Sequence, residues 1–491
     1  MPDACCLIPE TMVIKMNKYE AVIGLEVHVQ LSTKSKAFCG CSTEFGQAPN
    51  SSTCPVCLGF PGSLPVLNKE AFRYAIKVAI ALNCEIQAKV KFDRKNYYYP
   101  DLPKNYQISQ YDMPLAFNGY LDIGEDSKKR INIKRIHLEE DAGKLMHDPD
   151  KKISYVDYNR AGIPLLEIVS EPDIRTPDEA YEYLTTLKAI LQYLEVSDCN
   201  MEEGSLRCDA NVSIRKTQDK KLGTRVEIKN MNSFKAVSLA LMTEIADQES
   251  KVEVNVPIVQ ETKLWDAERK ETLVMRSKEE AEDYRYFPEP DLVPFIIDKR
   301  EVYNIKAALP ELPKQRKERI ISSYKLGEKE TGVIVSDRKI ADYFEEAARI
   351  YNEPKAISNW ITGVMMAELN ERSTTIEKLG FSPKMLTELI QLINNSTISG
   401  KMAKGIFKES IEKKMSPKDI VESRNLKQIS DEGELVNIIG EVINEHKKPV
   451  EDYKKGKANA FMFLVGQIMK KTKGKASPEA INKLLKKKLE G

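Results

Sequence analysis

Four cysteines in two close pairs, Cys39-Gly-Cys41 and Cys54-Pro-Val-Cys57, constrain this chain more than any other feature. Thiolates at C-x-C and C-x2-C spacing, with twelve residues between the pairs, can close a tetrahedral shell around zinc and leave no open position. The segment between them, Glu44 to Thr53, is polar and turn-forming, so the chain can fold back as a knuckle over 39–57. A zinc held this way staples a loop and does no chemistry of its own. Four reduced surface cysteines, or two disulfides, are the competing readings. The total of nine cysteines is odd and speaks against a disulfide framework. The spacing therefore predicts structural Zn2+ on Cys39, Cys41, Cys54 and Cys57.

With 491 residues the chain has length for about three domains. No apolar run approaches the ~20 residues of a membrane span. The start, Met1-Pro-Asp-Ala-Cys-Cys, lacks the basic-then-apolar order of a signal peptide. A cytoplasmic protein, without a membrane partner, is expected. Cys5 and Cys6 precede the first strand-like pattern and stand outside the expected fold; Met12 or Met16 would serve equally as a start. Net charge is only +1, yet Lys447 to Gly491 holds thirteen lysines, four acids and no arginine. A basic end on a neutral chain suits a polyanionic partner. A solvated lysine-rich helix surface has the same composition.

The expected fold class is α+β. Residues 1–293 read as mixed strands and helices, 294–415 as a helical domain, and 416–491 as a small helical tail. Asp291-Leu-Val-Pro294 and Pro310-Glu-Leu-Pro313 bracket the change of character. Apolar residues at three- and four-residue spacing predict helices over Arg338–Tyr351, Ala356–Leu369, Pro383–Asn394 and Gly400–Glu412. Ser416-Pro417 reads as an N-cap with proline in the first turn.

Parity shows what a strand presents to each side. Along Tyr19–Leu31, Ala21, Ile23, Leu25, Val27 and Val29 share one face, and Glu26, His28 and Gln30 line the other. Leu206–Arg215 sets Cys208, Ala210 and Val212 against Arg207, Asp209 and Asn211. Thr224–Asn230 sets Val226 and Ile228 against Glu227 and Lys229. In Ile131–Asp141, Arg135, His137, Glu139 and Asp141 share a parity, whereas Glu140 follows Ile136 and Leu138. A one-sided antiparallel sheet gives such alternation by itself. Carboxylates with one imidazole in mid-strand also suit Mg2+ or Mn2+. Phosphate-loop and kinase signatures are missing. Phe92-Asp-Arg-Lys-Asn-Tyr-Tyr-Tyr-Pro-Asp101 interleaves basic and aromatic residues; it reads equally as a contact for phosphate and a stacked ring, or as an edge strand with a tyrosine-rich packing face.

Longer strings carry a resemblance. Ile23-Gly-Leu-Glu-Val-His-Val-Gln30, Phe92-Asp-Arg-Lys-Asn-Tyr97, Tyr106-Gln-Ile-Ser-Gln110, Leu138-Glu-Glu-Asp-Ala-Gly143, Met201-Glu-Glu-Gly-Ser-Leu-Arg-Cys-Asp-Ala-Asn211 and Asp283-Tyr-Arg-Tyr-Phe-Pro288 resemble the B subunits of the tRNA-dependent amidotransferases, the GatB/GatE family. The likeness runs from about Tyr19 to the C-terminus. It implies a cradle-like catalytic domain, a helical domain and a YqeY-like tail. It implies a complex with two further proteins, the amidase (A) subunit plus a small C subunit, that acts on misacylated Glu-tRNA(Gln), Asp-tRNA(Asn) or both. In that family ATP phosphorylates the side-chain carboxylate, and ammonia that the amidase releases from glutamine displaces the phosphate. The resemblance implies Mg2+ on Glu26, His28 and Glu140, a Mg2+/ATP site completed by Glu139, and catalytic roles for Lys95, Glu140, Asp209 and Glu227. Some relatives have lost the zinc cysteines; this chain keeps all four.

The chemistry suits these residues. A carboxylate resists ammonia because oxide would have to leave, and phosphorylation supplies a better leaving group. Phosphoryl transfer asks mainly for positioning and charge neutralisation, which Mg2+ and a lysine such as Lys95 supply. The rival classes are a stand-alone ammonia ligase and a non-catalytic, zinc-bearing tRNA-binding subunit.

Overall fold

The computed structural model describes residues 18–124, 129–148, 150–277, 284–424, 432–472 and 478–490. Cys5, Cys6, Met12, Met16, Asp283, Lys473 and Lys475 lie outside the described residues. The chain divides into two compact units, Met1–Leu312 and Pro313–Gly491.

The first unit holds strands β1 (Tyr19–Gln30), β2 (Glu85–Ile86), β3 (Lys89–Val90), β4 (Asp93–Asn96), β5 (Tyr106–Ser109), β6 (Ala116–Ile123), β7 (Lys129–Glu140) and β8 (Lys144–Asp148). These are followed by β9 (Ile153–Asp157), β10 (Pro164–Ser170), β11 (Leu206–Lys216), β12 (Val226–Met231), β13 (Glu261–Asp266), β14 (Glu271–Ser277), β15 (Arg285–Pro288) and β16 (Phe295–Ile296). Nine of them make one sheet in the order β14-β13-β12-β11-β1-β10-β7-β6-β2. Every pairing in it is antiparallel except β12 with β13. Those two are joined through helix Phe234–Glu253, the crossover that a parallel pair requires.

Alternation decides which way the sheet faces. Ile23, Leu25, Val27 and Val29 of β1 are buried together with Ile136 and Leu138 of β7, Leu166 and Ile168 of β10, Ala210 and Val212 of β11, and Ile228 of β12. Helices Lys69–Ala81, Pro177–Tyr193 and Phe234–Glu253 add Ile76, Leu187 and Leu241 to the same core. Their starts are set by Asn68, Thr176 and Ser233, whose side chains accept from first-turn N–H groups; such caps are each worth about 1 kcal/mol.

Two sequence expectations shift. β4 is the middle strand of a three-stranded sheet, β15-β4-β5, not an edge. The mixed unit also continues past Pro294. β16 pairs with β3, Phe295 packs its ring 5.1 Å from that of Phe72, and Ile297 and Ile305 are buried in the first core. Of the two proline motifs, the second marks the change.

In the second unit, helices Arg338–Ile350, Pro383–Asn394 and Gly400–Lys413 match the periodic segments. The segment 356–369 is divided among Pro354–Asn359, a π-helical turn Trp360–Met365, and Met366–Glu371. Two cores form here. Phe344, Leu386 and Phe407 belong to one; Leu435, Ile439, Leu464, Ile468 and Leu485 belong to the other. Ser416 caps helix Pro417–Ser423 through the N–H of Asp419, as read from sequence. That helix buries Ile420 and Val421 in the earlier core, and among the described residues the later core starts at Leu435.

Candidate active site and metal centre

The polar parities of five strands meet on one face of the large sheet. His28 stands opposite Arg207 of β11 on one side and Glu167 of β10 on the other, and Glu167 stands opposite His137 of β7. The result is a cross-strand row, Arg207–His28–Glu167–His137, in which one carboxylate stands between two imidazoles. Glu167 Oε2 lies 3.3 Å from His28 Nε2 and 3.2 Å from His137 Nε2. Glu139 Oε2 lies 3.4 Å from His137 Nε2 and accepts from Ser109 Oγ at 3.0 Å, which ties the small sheet to the large one.

Burial opposes every charge in this row, and the neighbours outweigh it. His137 is pushed up to about 9 because Glu167 and Glu139 face it. His28 is raised for the same reason, chiefly by Glu167. Glu167 is held well below the ordinary carboxylate value by the two histidines, and Glu139 is also lowered, by His137 and Lys95. A cation bound here would displace the proton that Glu167 favours on His28, because a ligating imidazole is neutral.

Next along the face, Glu26 is in register with Asp209 and accepts from Asn211 Nδ2 at 3.0 Å. Burial, with Glu167 and Glu227 nearby, raises its pKa. Lys229 pairs with Asp209 and lies 2.9 Å from Glu227, which also accepts from Thr262 Oγ1 at 2.9 Å. Lys95 comes from β4, its Nζ 4.7 Å from the Tyr284 ring centroid. Burial works against its charge, but Glu139 keeps its pKa raised. Thus Glu26, His28, Glu139, Asp209, Glu227 and Lys95 share one region.

Glu140 does not join them. One residue out of phase with Glu139, it follows Ile136 and Leu138 to the opposite side of β7. There it pairs with Lys104 and accepts from the N–H of Ile108 at 2.9 Å. It lines a cleft with Lys36, Cys57, Lys104 and Tyr106. The expected ligand set Glu26, His28 and Glu140 is not gathered as such: among the described residues, His28, Glu139 and Glu167 bring their ligand atoms within 4.8 Å of one another. Two carboxylates and one imidazole fit Mg2+ or Mn2+.

Glu167 escapes a reading by parity because β10 runs Pro-Leu-Leu-Glu-Ile-Val-Ser. A strand buried on both sides loses its alternation. The lone carboxylate inside that apolar run is the available signal. His137 and Arg207 are legible by parity, though not as site residues.

The four cysteine sulfurs of the knuckle also lie within 4.8 Å of one another, with Cys54 and Cys57 Sγ 3.9 Å apart. A tetrahedral Zn–S distance of about 2.3 Å implies sulfurs roughly 3.8 Å apart. The donor set therefore fits a closed zinc site. Pro55 opens a one-turn helix that carries Cys57, and Gly59 ends it at φ +72°, a left-handed conformation that favours glycine.

Residues 21–303 match the GatB/GatE catalytic domain and residues 342–489 the GatB domain. The chain is 57% identical over 478 residues to the aspartyl/glutamyl-tRNA(Asn/Gln) amidotransferase B subunit of Carboxydothermus hydrogenoformans, covering 96% of this chain and 99% of that protein. It is 56% identical over 473 residues to the protein of the same name from Caldanaerobacter subterraneus, with 96% and 99% covered. For its namesake in Brevibacillus brevis the identity is 53% over 471 residues, with 96% and 98% covered. Two matched domains and near full-length likeness to amidotransferase B subunits place the chain in the GatB/GatE family.

Proposed function

We propose that this protein is the ligase subunit of a glutamine-dependent amidotransferase that converts misacylated Glu-tRNA(Gln), Asp-tRNA(Asn) or both to the amide. The observation that supports this best is the cross-strand row Arg207–His28–Glu167–His137, with Glu139 beside it. His28, Glu139 and Glu167 would hold Mg2+, which supplies neutralisation of ATP phosphate charge. Lys95 stands beside Glu139 as a further point charge for the phosphate that moves. Glu26, Asp209 and Glu227 extend the acidic face and, with Lys229, position the nucleotide and the aminoacyl end. Phosphorylation of the aminoacyl carboxylate gives an acyl phosphate; ammonia attacks its carbonyl carbon, and phosphate leaves. The partners are an amidase, which is the ammonia source, and a small third protein, the A and C subunits of the complex. Among the described residues no helix is long and apolar enough to cross a membrane; the proposed location is the cytoplasm.

The tail would bind tRNA by charge. Lys454, Lys455 and Lys470 are exposed on it, whereas Leu464 and Val465 of the apolar stretch pack its core.

The test is a co-expressed heterotrimer carrying Glu167→Gln. ATP-dependent amidation of both misacylated tRNAs should fall by about 100-fold or more, as expected for loss of a charged ligand. Glutamine hydrolysis by the amidase should persist in part. Amidation at the unaltered rate would refute the assignment.

A further inference from the structure

Lys36 is buried completely, with its residue 0% exposed. A buried ammonium is costly unless it is paired and hydrogen-bonded. Yet among the described residues its Nζ has no carboxylate within ion-pair distance. Its partners are the Cys57 sulfur at 3.7 Å and the Tyr158 carbonyl at 3.2 Å. The nearby carboxylate, Glu140, is engaged by Lys104 and the Ile108 N–H.

The surroundings hold this lysine in place. Its backbone N–H donates to the Cys41 carbonyl at 3.0 Å, and the next N–H, of Ala37, donates to the Gly162 carbonyl at 2.8 Å. Gly162 has φ +88°, and a Cβ there would meet Lys36 Cδ at 3.3 Å, Cys57 Cβ at 3.5 Å and Glu140 Oε2 at 3.7 Å. Three side chains thus converge on a backbone position that carries none.

Four neutral thiols would give a buried ammonium little to pair with. Zinc with four thiolates carries two net negative charges, because each ligating cysteine is deprotonated. Cys57 is the buried member of the four, so solvent helps least at its sulfur. That sulfur also accepts from the backbone N–H of Cys54 at 3.2 Å.

We infer that Lys36 is the built-in countercharge of the zinc–thiolate centre, a positioning residue that acts through the Cys57 sulfur. This rests on the structural-zinc reading of the four cysteines. Outer partners of metal ligands tune affinity by about 10- to 100-fold.

The experiment compares the co-expressed complex with Lys36→Met and Lys36→Arg versions. Metal content is measured first, and then zinc transfer to a chromogenic chelator. The unaltered protein should carry one zinc per chain. Lys36→Met should lose zinc about 10- to 100-fold more readily, and Lys36→Arg should restore most of the retention. In cobalt-substituted protein the sulfur-to-cobalt charge-transfer band should move to lower energy in Lys36→Met, since a sulfur without its cation holds its electrons less tightly. If Lys36→Met does not fold, Lys36→Gln, which keeps a donor without charge, carries the same comparison. Equal zinc retention and an unmoved band in a zinc-loaded protein would overturn the role of Lys36 alone. An unaltered protein without zinc would overturn both this inference and the zinc site.

Discussion

Arg207 grips Asp141 with both terminal guanidinium nitrogens, each 3.0 Å from a different carboxylate oxygen. Asp141 is buried at the end of the polar face and also accepts from Gln30 Nε2 at 2.7 Å. The pair braces β11 against the segment that follows β7, across β1 and β10. Arg207→Lys keeps the charge and loses the fork; it should cost roughly 1–2 kcal/mol in denaturant unfolding. Arg207→Ala leaves a buried carboxylate short of its main partner and should cost roughly 2–4 kcal/mol. Equal stability of Arg207→Lys and the unaltered protein would show that the bidentate geometry contributes nothing.

Adjacent glutamates should fail differently. Glu139→Ala removes one of three converging ligand groups, so the Mg2+ needed for half-maximal amidation should rise about 10-fold or more. Glu140→Ala strips the buried Lys104 of its partner and should lower amidation with an unchanged Mg2+ dependence. A Mg2+ titration of both variants decides this. Identical shifts would contradict the placement of the two side chains.

Replacing Cys41 by serine should release the zinc and destabilise the first unit before it touches chemistry, because metal-binding energy is folding energy here. The midpoint of thermal unfolding should fall by roughly 5–10 °C. Chelator treatment of the unaltered protein should approach the same value. A Cys41→Ser protein with full zinc content would speak against four-sulfur ligation.

The tail is best removed after Arg424, since a cut at 416 would also take Ile420 and Val421 out of the neighbouring core. The truncated complex should show KM for aminoacyl-tRNA raised about 10-fold and kcat within about 2-fold, because binding shared by ground and transition states is lost. The dependence of KM on salt should flatten as lysine–phosphate contacts disappear. An unchanged salt slope would mean that the lysines serve solubility only.

In the second unit, Glu345 is buried between Arg316 and Arg319. Burial opposes its charge, but Arg319 and Arg316 hold its carboxyl below the ordinary 4.5. A lowered folded pKa means that its contribution is complete above 4.5 and lost as pH falls through the folded value. Glu345→Gln should cost roughly 1–3 kcal/mol at neutral pH and make unfolding less sensitive to acid. Circular dichroism melts of the whole chain from neutral pH into the acid range measure both. Parallel acid limbs in the two proteins would rule Glu345 out as a source.

Much of this is legible in the residues themselves. Alternation from Leu25 to Gln30 reveals the polar half of β1, and Ser416-Pro417 marks the start of helix Pro417–Ser423. The zinc ligands are legible because they are local in sequence. β10 is not, since burial on both sides erases the period-two signal. Nor does any local pattern say that β10 lies between β1 and β7, the fact that brings Glu167 to both histidines. Glu140 is instructive in the other direction. Its parity already sets it apart from Glu139, while likeness to a family groups the two together.

That separation makes chain length in β7 a matter for anyone who would re-engineer this protein. One residue inserted in mid-strand would exchange the destinations of Glu139 and Glu140, and would turn Ile136 and Leu138 toward the charged row. Substitution can explore chemistry on either side of this strand one position at a time. Insertion or deletion within it trades the two sides wholesale, so a library that varies loop lengths should leave β7 uncut.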